Sequence, residues 1–130
     1  MRQIKAIFLS SLLAFTLMSF AGVFDQISAT IKAGNSKELS KYFGKTIDMT
    51  VLEKENVYSK AQAELILKDF FADHTPKSFH ILHSGTSKSG LRYAIGTLGT
   101  NDGEFRVSFY VKKVGDRDEI KQLRIDPAED

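Results

Sequence analysis

The sequence predicts an α+β fold: an N-terminal helical hairpin and one long helix packed on a strongly curved, mostly antiparallel sheet. Three observations predict it. The stretch Ser59–Asp73, SKAQAELILKDFFAD, carries its apolar residues at helical spacing. After Pro76 the apolar period changes from helical to two and stays there to the end of the chain. Ahead of Ser59, two short helical patterns meet at Gly34-Asn35 and lead into a first alternating segment.

The chain opens with a leader. Arg2 and Lys5 precede an apolar run from Ala6 to Phe20, broken only by Ser10, Ser11, Thr16 and Ser19. Ser19-Phe20-Ala21 then places small residues where a signal peptidase reads them, so residues 1–21 are expected to be a secretory signal peptide. The run is shorter than the ~20 apolar residues of a spanning helix, so no stable membrane anchor is expected after cleavage near Ala21-Gly22. Residues 22–130 are expected to form a single domain in the periplasm or outside the cell.

The full chain has 18 Lys and Arg against 16 Asp and Glu; loss of Arg2 and Lys5 brings the two counts level at 16. A neutral surface of mixed sign argues against nucleic acid as the partner. The absence of cysteine excludes disulfides, thiol catalysis and a lipoprotein anchor.

Val23–Ala33 reads as the first helix, with Phe24, Ile27 and Ile31 on one face and Gly34 ending it. Asn35 caps a second, short helix, with Glu38 at the capping-box position and Leu39, Tyr42 and Phe43 inward before Gly44. Ile47, Met49 and Val51 alternate with Asp48 and Thr50 in a half-buried strand, and Val57-Tyr58 returns from it. In the long helix Ser59 caps, Gln62 completes a capping box, and Ala63, Ile66, Leu67 and Phe70 form the stripe.

Beyond Pro76, the strand at Ser78–His83 places Phe79, Ile81 and His83 on one face. The strand at Leu91–Leu98 places Leu91, Tyr93, Ile95 and Thr97 together and marks Gly96 as a bulge. In Glu104–Lys112, Phe105, Val107, Phe109 and Val111 oppose Arg106, Ser108, Tyr110 and Lys112. Asn101-Asp102-Gly103 is a hairpin turn, and Glu119–Ile125 is the last strand.

This order resembles the nuclear transport factor two-like superfamily, also called the SnoaL-like or cystatin-like cone. The residues that carry the resemblance are Asn35-Ser36-Lys37-Glu38-Leu39 leading to Tyr42-Phe43, the long helix, and Ile120-Lys121-Gln122-Leu123-Arg124-Ile125. The resemblance implies a bent sheet wrapped round the long helix and a pocket inside the cone. Within the superfamily the chain is most similar to small exported bacterial proteins of unknown function.

The chain has no GxSxG, HExxH, phosphate loop or GxGxxG. Its only histidines are His74, His80 and His83. Alternation puts His80 and His83 on opposite faces, so neither a metal nor another cofactor is expected. Tyr42, Phe70, His83, Tyr93 and Phe109 are the expected pocket wall, and His83 and Tyr93 the groups suited to acid–base work. Arg106, Tyr110 and Lys112 lie on the polar sheet face and suit an interface. The first functional expectation is a non-enzymatic binding or scaffold domain. It would take a small apolar ligand in the cone or a protein partner on the outer sheet. The alternative is an isomerase or dehydratase type of enzyme with acid–base chemistry in the cone. A homodimer joined sheet to sheet is the third reading.

Overall fold

The computed structural model describes residues 22–128; the expected signal peptide lies outside them. The elements in order are α1 (Val23–Ala33), α2 (Ser36–Ser40), β1 (Phe43–Val51), β2 (Lys54–Ser59) and α3 (Lys60–Asp73). Then come β3 (Pro76–Thr86), β4 (Arg92–Thr100), β5 (Gly103–Val114) and β6 (Arg117–Pro127). One six-stranded sheet runs in the order β2-β1-β6-β5-β4-β3. Only β1 against β6 is parallel, so the sheet is mixed but mostly antiparallel, with the helices on one face.

Local chemistry sets the helix ends. Gly34 adopts φ 64°, the left-handed conformation that closes α1. The Asn35 side chain accepts from the Glu38 amide at 3.1 Å and starts α2. At α3 the Gln62 amide donates to Ser59 Oγ at 3.2 Å and the Ser59 amide donates to Gln62 Oε1 at 3.1 Å, the predicted capping box.

The core lies between the helices and the inner sheet face. Ile27, Leu39, Phe43, Leu67, Leu98, Phe109 and Leu123 are fully buried there. Three readings of the sequence are corrected. Helix α2 stops at Ser40, and Phe43 opens β1 opposite Ile120 instead of ending a helix. Strand β4 buries Ala94, Gly96 and Leu98, so Tyr93 and Ile95 point outward. The reason is space: a side chain at Gly96 would meet the Phe79 ring at 2.8 Å, so β4 supplies small residues where β3 supplies a large one. Finally, the bulge is on β3. Ile81 pairs with Gly96 and His83 with Ile95, which leaves Leu82 as the extra residue, 72% exposed. One inserted residue reverses alternation, so His83 leaves the face of Phe79 and Ile81.

Candidate functional site

Topology brings four segments to one end of the sheet. Strands β1 and β6 are parallel, with Val51 beside Ile125, so both finish at the same edge. Strand β2 turns back from that edge, and α3 returns to it. Strand β3 then leaves from Pro76, which pairs with Thr100 at the far end of β4. The β1–β2 turn, the last turns of α3, the end of β6 and the β4–β5 turn therefore cluster.

Between the first three of these lies a partly open cleft of about 670 Å³. Val51, Leu52, Ile66, Phe70 and Pro127 give it apolar walls; Glu53, Lys54, Asp69, Asp73 and His74 are its polar lining. Leu52 holds φ 56°, a left-handed conformation uncommon for a branched side chain, at the lip. Its amide donates to the Ile125 carbonyl at 2.8 Å, which pins the turn to the end of β6. A second depression of about 550 Å³ sits at the opposite end, lined by Phe43, Lys60 and Arg117 among others.

His74 is the titratable side chain most closely held at the cleft. Its amide donates to the Phe70 carbonyl at 2.8 Å and closes α3. Its ring lies against Phe70 and Phe105, each with a centroid separation of 4.8 Å. Nδ1 is 3.0 Å from both carboxylate oxygens of Asp102 in the β4–β5 turn. Thr100 Oγ1 donates to Asp102 Oδ1 at 2.9 Å. The hydrogen bonds from His74 and then Thr100 hold the Asp102 carboxyl below the usual carboxylate value. The turn is anchored to the helix end twice more: the Thr75 amide donates to Asn101 Oδ1 and the Asn101 amide to the Thr75 carbonyl.

An ionised carboxylate only accepts, so Nδ1 carries a proton, and in the neutral ring the lone pair is then on Nε2. Among the described residues no hydrogen bond reaches Nε2. Among the described residues the only buried side-chain polar atom without a partner is Ser28 Oγ, so Nε2 is reached by solvent. An imidazole oriented in this way can accept a hydrogen bond or a proton from a molecule in the cleft.

The five residues expected to share a pocket are not brought together. Phe70 alone lines the cleft. Phe109 is fully buried and packs edge-on against Phe24 at 5.5 Å. Tyr42 is half-buried, and its hydroxyl lies 3.3 Å from Gln26 Oε1; burial and then the Glu38 charge raise its pKa. His83 and Tyr93 meet on the outer sheet face, with Nε2 and the hydroxyl 3.1 Å apart. Tyr93 also faces Tyr110 across the β4–β5 pair at 5.8 Å, while Arg106 and Lys112 are exposed on either side. Sequence reasoning singled out neither Asp102 nor His74 as a site residue. The signal was there: consecutive antiparallel strands place the start of β3, and hence His74, beside the turn that ends β4.

Among the described residues no group of three or more His, Asp or Glu side chains is placed to hold a metal ion. No helix among them is long and apolar enough to cross a membrane.

The helices packed on one face of this mostly antiparallel sheet give the nuclear transport factor two-like α+β fold. A design of that fold with a long sheet is 19% identical, with a TM-score of 0.61 over 78% of this chain and 94% of its own. The chain itself belongs to the DUF4783 family, a domain of unknown function whose model matches residues 24–126. A DUF4783 protein from Bacteroides uniformis is 34% identical, with a TM-score of 0.76 over 84% of this chain and 100% of its own. Another from Bacteroides ovatus is 32% identical, with a TM-score of 0.73 over 80% and 94%. No curated protein matches the chain.

Proposed function

We propose that the chain is an exported binding domain that holds a small, largely apolar molecule in the cleft at the end of α3. The observation that carries this is the partly open cleft of about 670 Å³ with aliphatic and aromatic walls and a few polar groups. That volume is in the range of small-molecule sites, which combine apolar walls with a few placed polar groups. The test is native mass spectrometry of the mature protein purified gently from its own compartment. An added mass that is released on denaturation and absent from Ile66→Trp supports the cleft. A retained mass in Ile66→Trp, or none in either protein, counts against it.

A second reading is carried by the outer sheet face, as a contact between two copies of the chain. Tyr93, Tyr110 and Ile95 are half-exposed there with no layer of described residues over them, and Leu82 is 72% exposed at its edge. Aromatic residues flanked by Arg106 suit an interface core and rim. Light scattering would give a dimer mass for the wild type and a monomer mass for Tyr110→Glu. A wild-type monomer at high concentration would remove this reading.

A further inference from the structure

The cleft's polar groups carry information about what it binds. We infer that its ligand is an apolar molecule bearing a hydrogen-bond donor, a hydroxyl or an amine, that is read by His74 Nε2. This rests on the cleft reading above and adds the head-group chemistry to it.

The argument is one of donor and acceptor inventory. Asp102 sits outside the cleft and takes the Nδ1 proton, with 3.0 Å to each carboxylate oxygen. The ring is clamped between Phe70 and Phe105, so it cannot readily turn to exchange its nitrogens. The nitrogen left for a ligand is therefore Nε2, which in the neutral ring carries the lone pair, its tautomer set by a partner on another element. Asp69, Asp73 and Glu53 in the same lining are acceptors when ionised, and Lys54 alone is a charged donor. A ligand group that could only accept would leave Nε2 without a partner, and such mismatches are discriminated against.

The experiment uses three probes with the same alkyl chain: decanol, decyl methyl ether and decylamine. Binding to the mature protein is followed by calorimetry. Decanol should bind about tenfold more tightly than the ether, since the ether lacks the donor. In His74→Phe, which keeps an aromatic ring between Phe70 and Phe105, the two should bind alike. In Asp102→Asn the carboxamide can donate to Nδ1 and move the ring proton to Nε2, so the gap should narrow. Decylamine against decanol then tells whether the natural donor is an amine or a hydroxyl. Equal binding of decanol and ether to the wild type, or a gap that survives His74→Phe, overturns the inference and leaves the cleft reading standing. A gap lost in His74→Phe but unchanged in Asp102→Asn overturns the part assigned to Asp102. Failure of all three probes to bind overturns the cleft reading together with the inference.

Discussion

The same substitution at two glycines of β4 should give opposite results. Gly96 is buried, and a methyl group added there would lie 2.6 Å from the His80 carbonyl oxygen and 2.8 and 2.9 Å from the Phe79 ring. One neighbour is backbone and the other a buried ring, so neither can yield without moving β3. Gly99, three residues on, would place its methyl 2.6 Å from Ser78 Oγ, with the next Ser78 atoms at 3.9 Å or more. A rotation of one hydroxyl relieves that contact. Overpacking of the first kind costs roughly 1–3 kcal/mol. Replacing glycine by alanine returns about 0.4–1 kcal/mol through the unfolded chain where the backbone allows it. Gly96→Ala should therefore be destabilised by about 1–2 kcal/mol, and Gly99→Ala should fall within about 0.5 kcal/mol of the wild type. In urea, with a slope of about 1–3 kcal/mol/M, Gly96→Ala should unfold at a midpoint lower by roughly 0.3–2 M with the slope unchanged. Coincident curves for the two variants would refute the packing of Phe79 over Gly96.

Four further outcomes follow from the same structure. Phe109→Ala, which empties a fully buried site beside Phe24, should cost about 3–5 kcal/mol in chemical denaturation, a core effect and not that of a pocket wall. Ser59→Ala breaks the capping box of α3 and should cost about 1 kcal/mol, seen as a lower melting temperature by circular dichroism. The Asp102 carboxyl is held below its ordinary value of 3.8, so its contribution to stability is complete above that pH and is lost as pH falls through the lower folded value; Asp102→Asn should flatten this part of the acid limb of stability against pH. Deletion of Leu82 should leave a folded protein with His83 still beside Tyr93, whereas deletion of Ser108 from the doubly paired β5 should abolish folding; backbone amide spectra would separate the two.

How far the sequence could be read depends on whether a pattern is local. Capping at Asn35 and Ser59, the glycine stop at Gly34 and the alternation of β5 need only neighbouring residues, and all appear in the structure. The identity of a strand's inner face is local only until a register shift. In β3 a single extra residue, Leu82, sends His83 to the opposite side from Phe79, and nothing in Ser78–His83 marks that insertion. In β4 the larger residues face outward because Phe79, on a neighbouring strand, already fills the space over Gly96. Both errors moved residues toward a pocket inside the cone; the first came from a bulge that alternation does not show, the second from assuming that apolar size reports depth.

The cleft follows a different logic. Its residues come from the β1–β2 turn, α3 and the end of β6, far apart in sequence, and no spacing rule links them. What links them is strand direction: the parallel pairing of β1 with β6 carries Val51 and Pro127 to the edge where α3 ends. The same geometry carries Asp102 to His74, since the turn after β4 must lie beside the start of β3. Direction and pairing order can be written down from a strand list before any side chain is placed. A histidine just after a helix and an aspartate in the second of the following turns are therefore neighbours by topology, and Asp102 fixes which nitrogen of His74 carries the proton.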